Sequence, residues 1–203
     1  MVSVCMREPD ETSLACGGDL DWFVICPVRC ALDVPILETE RLRLRGHVIE
    51  DFPNTAAMWG DAAVTKYIGG KPFTLEECWA RFLRYAGHWT LLGFGFWLVE
   101  EKATGDFVGE VGFGNYKREM DPSLGSTPEV GWVLAPTKHG KGYATEAVSA
   151  VLAWGRSHFR SNEFVCIIHP EHRASINVAT KCGFEERAHA VYKDRPTIIF
   201  KLD

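Results

Sequence analysis

Val130-Gly131-Trp132-Val133-Leu134-Ala135-Pro136-Thr137-Lys138-His139-Gly140-Lys141-Gly142-Tyr143-Ala144-Thr145-Glu146-Ala147 decides how this chain is read. An apolar run stops at a proline, a glycine-punctuated loop follows, and a helical pattern begins at once. Two glycines one residue apart let backbone approach a ligand closely. The helix that starts there presents unpaired N–H groups and the positive end of its dipole. Such a place takes an anion, and a phosphate above all. Lys138, His139 and Lys141 add side-chain charge to it.

Two common phosphate loops do not fit. A P-loop needs a glycine, four residues and then Gly-Lys-Ser/Thr, and Gly140-Lys141-Gly142 has no such lead-in. The dinucleotide fingerprint Gly-x-Gly-x-x-Gly fails at Thr145. The stretch instead resembles the acyl-CoA pyrophosphate loop of the GNAT superfamily of N-acyltransferases. Within it, the similarity is to the branch of the ribosomal-protein-alanine acetyltransferases, where a run like Gly140-Lys141-Gly142-Tyr143-Ala144-Thr145-Glu146-Ala147 recurs. A second segment resembles the same branch: Pro170-Glu171-His172-Arg173-Ala174-Ser175, closing on Lys181-Cys182-Gly183-Phe184. Taken singly, Gly-Lys-Gly also reads as a tight turn, and Gly-Phe as a helix C-cap. The two motifs in this order carry the resemblance together.

The chain of 203 residues, 46% of them hydrophobic, is long enough to bury one substantial core. Its formal net charge of −5 argues against a nucleic-acid surface as its main business. Most of that acidity sits in residues 1–34, where Arg7 and Arg29 face Glu8, Asp10, Glu11, Asp19, Asp21 and Asp33. The seven cysteines include Cys5, Cys16, Cys26 and Cys30 in the same segment. Charges from Arg7 to Glu11 interrupt any secretory apolar region, so a cytoplasmic, reduced protein is expected. Cys26 and Cys30 lack a second ligand pair at zinc spacing, and no metal is expected. The longest apolar run, Leu91–Val99, is too short to span a membrane.

Residues 1–34 are read as an N-terminal extension of open role, with a possible strand at 21–28, and residues 35–203 as one domain. Alternation in Leu42-Arg43-Leu44-Arg45 predicts a first strand, and a short helix follows near Ile49–Gly60. Thr74-Leu75-Glu76-Glu77 is a capping box. It opens a helix whose apolar face is expected to be Leu75, Cys78, Trp79, Phe82, Leu83 and Ala86, with Glu77 and Arg81 at i,i+4 on the wet side as solvated groups. Strands are expected at 94–101, 107–116 and 128–134, then a helix over 141–158 with Tyr143, Ala147, Val151 and Trp154 inward. A strand at 164–169, a helix at 173–182 and strands near 184–192 and 197–202 complete the order. That order predicts an α+β, three-layer α/β/α fold on a mixed sheet. The GNAT resemblance adds that the sheet splays at its centre, between the strand ending at Leu134 and the one from Phe164. A pantetheine arm would lie in that gap as a false strand.

Acyl transfer from a thioester to an amine needs a deprotonated amine, a polarised carbonyl, donors for an oxyanion and a proton for the leaving thiolate. The resemblance implies acetyl-CoA as co-substrate and backbone contacts from Trp132, Val133 and Leu134. It also implies phosphate contacts from Lys138, Gly140, Lys141, Gly142, Tyr143, Ala144 and Thr145. Glu129, at the start of the strand into the loop, is the first choice of general base, with Glu110 second. A glutamate there could equally be paired with a surface cation. Many GNAT members place a tyrosine acid where this chain has Ala179. The ribosomal-protein branch offers a serine, which is Ser175 here, with Tyr192 as fallback. A serine near a helix start also caps backbone N–H groups. His172 stands where an asparagine usually meets the pantetheine arm, and imidazole can donate or accept.

Three readings follow. The first is an N-acetyltransferase acting on a primary amine, a protein N-terminus or a small molecule, as a monomer or homodimer. The second is a catalytically silent acyl-CoA-binding sensor, and the third an interaction protein pairing through its N-terminal segment. The acceptor pocket is expected from residues 59–74 and 117–127.

Overall fold

The computed structural model describes residues 34–203. The strand expected at 21–28 and the four N-terminal cysteines lie outside the described residues. From there the order is β1 (Leu37–Glu38), β2 (Leu42–Arg45), a 3-10 turn, α1 (Phe52–Trp59), α2 (Ala62–Thr65) and α3 (Leu75–Leu92). Strands β3 (Phe96–Glu101), β4 (Phe107–Gly114) and β5 (Glu129–Leu134) follow, then α4 (Tyr143–Phe159). The chain closes with β6 (Phe164–Ile168), α5 (Arg173–Lys181), β7 (Glu185–Tyr192) and β8 (Arg195–Leu202).

The strands form one sheet in the order β1-β2-β3-β4-β5-β6-β8-β7. All pairings are antiparallel except β5 with β6, which is parallel. That pair touches at one register position, Glu129 opposite Val165, with Val165 N–H donating to Pro128 O at 3.0 Å. Beyond Glu129, β5 stays paired to β4 along its whole length but no longer to β6. The expected splay is present, between the expected strands.

One face of the sheet is covered by α4, whose Tyr143, Ala147, Val148, Val151 and Leu152 are buried. They pack on β-strand residues such as Val99, Val111 and Phe113. Each wholly buried aliphatic side chain there contributes up to about 1.5–3 kcal/mol of hydrophobic stabilisation. The other face is covered by α1 and α3. The Thr74 capping box forms as expected: Thr74 Oγ1 accepts from Glu77 N–H at 3.2 Å and Glu77 Oε2 accepts from Thr74 N–H at 2.8 Å. Gly93 ends α3 in the left-handed region at φ 72°.

The inward face of α3 differs from the expectation. Cys78, Phe82, Tyr85 and Trp89 are buried, whereas Leu75, Trp79 and Leu83 are exposed at 68%, 38% and 51%. The helix carries two overlapping apolar stripes, and the partners below it choose between them. Tyr85 donates to Glu110 and Trp89 donates to Phe96 O, which fixes the rotation. Of the two residues expected on the wet side, Glu77 stays there and meets Lys71 at 3.7 Å, whereas Arg81 turns inward over the Trp59 ring.

Candidate active site

The loop after β5 has the geometry that its glycines require. Gly140 and Gly142 sit at φ 75° and 82°, a region costly to residues bearing a Cβ. Gly142 is the residue before α4, and no side chain caps that helix. Its first helical bond is Glu146 N–H to Gly142 O at 3.1 Å. Among the described residues, the N–H groups of Tyr143, Ala144 and Thr145 therefore have no protein acceptor, which is the arrangement that holds a phosphate.

The loop is braced from below by a residue the motif did not suggest. Arg41 donates to Glu146 Oε2 from Nε at 2.7 Å and to Lys141 O from Nη1 at 2.9 Å. Its guanidinium also lies over the Tyr143 ring, 4.7 Å from the centroid. Thr39 Oγ1 donates to the other Glu146 oxygen at 2.6 Å.

Two side chains expected at the phosphate are used elsewhere. Lys138 is buried, and its ammonium donates to Glu101 Oε2 and Asp106 Oδ2, both at 2.8 Å. These hydrogen bonds raise the lysine's pKa. Lys138 and the Tyr143 hydroxyl together hold the Glu101 carboxyl down at about 2. His139 Nε2 lies 2.9 Å from Leu134 O, folding the loop back on β5. Lys141 is exposed and keeps its ammonium free of carboxylates among the described residues. A phosphate at this loop would thus be held by backbone donors and Lys141, with Lys138 shaping the loop rather than touching the ligand.

A cavity of about 710 Å³ opens from the splay. One wall consists of Val130, Gly131, Trp132 and Val133 facing Cys166, Ile167 and Ile168 across the gap. Burial pushes the Cys166 thiol well up, so it remains a neutral lining group. Glu129, His172 and Ser175 line the same cavity, so both residues chosen for chemistry share one space. Leu134, Lys138, Gly140 and Gly142 lie outside that lining.

Glu129 is nearly buried and paired, though not with a surface cation. Arg118 grips it with two bonds, Nε to Oε2 at 2.7 Å and Nη2 to Oε1 at 2.6 Å. An ionised carboxylate has about four lone-pair sites, so acceptor capacity remains for a water or an amine. Arg118 comes from the long connection between β4 and β5, and it lies over the rings of Tyr116 at 4.6 Å and Tyr192 at 4.7 Å. Burial and then the Glu129 charge push the Tyr116 hydroxyl up to about 12. Tyr192 also lines the cavity.

Glu110, the second choice of base, is no part of this space. It is wholly buried between the sheet and helices α1 and α3. Thr55 Oγ1, Trp59 Nε1 and Tyr85 Oη donate to it at 2.7, 2.9 and 2.6 Å, and His47 Nε2 lies 3.5 Å away. Burial alone would raise its carboxyl, but those partners outweigh it and hold the group below the usual carboxylate range. Glu110 is an ionised anchor of the core.

Ser175 sits in the first turn of α5 and caps nothing. Its Oγ lies 3.4 Å from His172 Nε2. His172 in turn stacks on Tyr67, with ring centroids 4.7 Å apart. Burial, with His139 and His169 nearby, lowers its pKa, so the imidazole is neutral at pH 7. A neutral imidazole accepts at one nitrogen and donates at the other, which suits both a serine hydroxyl and a ligand amide.

The remainder of the lining comes from residues 59–73, as expected, and from two places sequence reasoning missed. These are Arg81 and Arg84 of α3, and the β7–β8 turn with Lys193 and Arg195. Of the long connection, Asn115, Tyr116, Lys117 and Arg118 reach the cavity, so of the expected stretch 117–127 only Lys117 and Arg118 do. Among the described residues no helix is long and apolar enough to cross a membrane, and no group of three His, Cys, Asp or Glu side chains is placed to hold a metal.

Comparison with known proteins agrees with this geometry. The family described as the Acetyltransferase (GNAT) domain matches residues 41–185. The uncharacterized N-acetyltransferase p20 of Bacillus licheniformis is 28% identical over 151 residues, which is 74% of this chain and 82% of that protein. The crystal structure of an acetyltransferase from Agrobacterium tumefaciens str. C58 superposes with a TM-score of 0.72 at 27% identity, covering 84% of this chain and 95% of that one. The fold is also that of RimL, a ribosomal L7/L12 alpha-N-protein acetyltransferase solved with coenzyme A, with a TM-score of 0.67 at 14% identity over 82% of this chain and 97% of that one. The chain belongs to the GNAT acetyltransferases and is an acyl-CoA-dependent N-acyltransferase.

Proposed function

We propose that the protein moves the acetyl group of acetyl-CoA directly to a primary amine in a ternary complex. The observation that carries this reading is the continuity of the splay. It runs from the bare helix-start donors at Tyr143–Thr145, along unpaired β5 backbone, into the cavity that holds Glu129 and Ser175. A coenzyme anchored by its pyrophosphate at the first end brings its thioester to the second. Coenzyme A bound to RimL, a protein of the same fold, supports the choice of ligand.

In this scheme Gly140, Gly142 and the α4 start bind the pyrophosphate, and Trp132–Leu134 offer backbone to the pantetheine arm or carbonyl oxygen. The neutral amine attacks the thioester carbonyl carbon, forming the C–N bond and an oxyanion. Collapse breaks the C–S bond. The amine's proton passes to Glu129 through water, and Ser175 relays a proton to the departing thiolate while regaining one from water, which the proton on Glu129 replaces as the products leave. Bringing both substrates into one pocket supplies most of the advantage, so no acyl-enzyme is needed. A protein N-terminus and a small amine both suit this chemistry.

The test is thiol release from acetyl-CoA with a panel of amines, with the acetylated product identified by mass. Intersecting double-reciprocal plots and no protein-bound acetyl group are expected. Tight acetyl-CoA binding without transfer to any amine would overturn the proposal in favour of a silent acyl-CoA-binding sensor.

A further inference from the structure

The acceptor half of the cavity carries far more positive charge than transfer to a simple amine requires. Lys71, Arg81, Arg84, Lys117, Lys193 and Arg195 line it beside the Arg118–Glu129 pair, and Glu129 is the one carboxylate among the lining residues. Glu129 is already taken by Arg118 through two bonds. Lys71 reaches only the exposed Glu77, at 3.7 Å. Among the described residues, Arg81, Arg84, Lys117, Lys193 and Arg195 have no carboxylate within ion-pair distance.

Two of these side chains rest on aromatic rings while their donors stay unused among the described residues. The Arg81 guanidinium lies over Trp59, 3.8 Å from the ring centroid, and 4.9 Å from that of Phe73. Its Nε is buried and has no hydrogen-bond partner. A buried guanidinium nitrogen without an acceptor costs free energy unless a ligand supplies one. Arg84 stands over Tyr116 at 5.4 Å. Burial, and then the charge of Arg81, lower its pKa, the mark of a cation with no counter-charge at hand. Residues 138–145 of the glycine loop are not among the lining that these groups share. Glu129, beside them in that lining, opens β5, and the loop follows the strand's other end, roughly 17 Å away along the six strand residues.

We infer that the acceptor is an amine that also carries an anionic group, a carboxylate or phosphoryl, seated on Arg81 and Arg84. This rests on the acetyl-transfer reading above and names its substrate class. A planar guanidinium meets such anions with paired, charge-assisted hydrogen bonds. The same cations disfavour the ammonium form of the acceptor amine. The pocket would thus deliver the amine closer to its reactive neutral state, which lightens the task of Glu129. A polycationic acceptor such as spermidine is repelled.

The experiment uses the full chain loaded with coenzyme A for calorimetric binding, and with acetyl-CoA for turnover. Probes are α-amino and ω-amino acids beside their carboxamides, aminoalkylphosphonates, spermidine, and the peptides Ala-Glu-Asp-Ala and Ala-Gln-Asn-Ala with amidated C-termini. The free amino acids and the acidic peptide distinguish a small anionic amine from an acidic peptide N-terminus. In at least one series the anionic member should bind and turn over about 10-fold better than its neutral partner, the worth of one hydrogen bond to a charged group. Raising salt to 1 M should shrink that ratio. Arg81→Gln and Arg84→Gln should collapse it, and Arg81→Lys should restore part of it.

Neutral partners matching anionic ones throughout, or spermidine binding as well as the acids, would overturn the inference. Anion-selective binding without transfer supports this inference while sinking the transferase reading. Transfer without anion preference does the reverse. If Arg81→Gln fails to fold, Arg84→Gln, which removes a cation from the helix surface, carries the same test.

Discussion

Replacing Gly142 with Asp tests the phosphate loop most directly, because two penalties can be worked out and separated. Gly142 adopts φ 82°, so any Cβ there costs about 1–2 kcal/mol of backbone strain. A Cβ built on it meets no wall; its nearest neighbour is Arg41 Nη2 at 3.4 Å. The strain therefore falls on folding, and the new carboxylate stands at the start of α4, where the pyrophosphate is proposed to bind. Two unit charges about 5 Å apart repel by roughly 0.8 kcal/mol in bulk water and 3.3 kcal/mol at an effective dielectric of 20. Arg41 would offset part of this, but it is already engaged by Glu146 and Lys141 O. A net loss of about 1.5–3 kcal/mol follows, or roughly a 10- to 150-fold rise in the Kd for acetyl-CoA.

Gly142→Asn is the control, since asparagine tolerates the left-handed region and brings no charge. Calorimetry of both variants at 0.1 and 1 M salt, with melting curves to confirm folding, completes the assay. The gap between Asp and Asn should narrow at high salt, where the Debye length falls from about 10 Å to 3 Å. Equal acetyl-CoA affinity for folded wild type, Asn and Asp variants at 0.1 M would remove this loop as the phosphate site.

Ser175→Ala should lower kcat by about 10²-fold, the low end for a lost general acid, and leave acetyl-CoA affinity nearly unchanged. A wild-type rate under saturating, chemistry-limited conditions would return the acid role to Tyr192 or water. Glu129→Gln should reduce kcat by about 10²–10⁴-fold if the carboxylate takes the proton. If Glu129 only anchors Arg118, the loss should fall on the acceptor KM and on melting temperature instead. Glu110→Gln should cost about 2–4 kcal/mol of stability, read as a lower urea midpoint at constant slope. Because the folded state holds Glu110 below its unfolded pKa, its contribution is present above about pH 4.3 and lost as pH falls through the folded value. The Gln variant should lack that acid-side slope.

The glycine loop and the helix after it were legible because they rest on backbone: glycines at positive φ and a helix start announce themselves in any context. The strand order was legible for a related reason, since alternation and turn residues act locally. What the sequence could not rank were choices made across long separations. Arg81, read as a solvated group at i,i+4 from Glu77, turned inward because α3 rotates to set Tyr85 on Glu110 and Trp89 on Phe96 O. Lys138 carries charge at the loop but meets Glu101 and Asp106, 37 and 32 residues away. Arg118 and Glu129 are 11 residues apart across a loop without periodicity. In each case the local signal gave the right residue type and an incomplete partner.

The two glutamates weighed for the base show how one sheet sorts similar groups by location. Glu110 on β4 lies directly opposite Val133 on β5, beneath α1 and α3, where three hydroxyl and indole donors and a histidine surround it. No substrate atom can reach it without displacing the core. Glu129 stands at the last position where β5 and β6 remain paired. One step further the strands part, and Glu129, gripped by two bonds from Arg118, lines the cavity that opens there. The splay therefore does two things at once. It leaves one edge of the β5 backbone unpaired beyond Glu129, and it sets that carboxylate in the same cavity lining as Arg81 and Arg84. An acceptor whose amine reaches Glu129 while its anion rests on those arginines would be oriented before the thioester arrives, the circumstance in which direct transfer gains most from proximity.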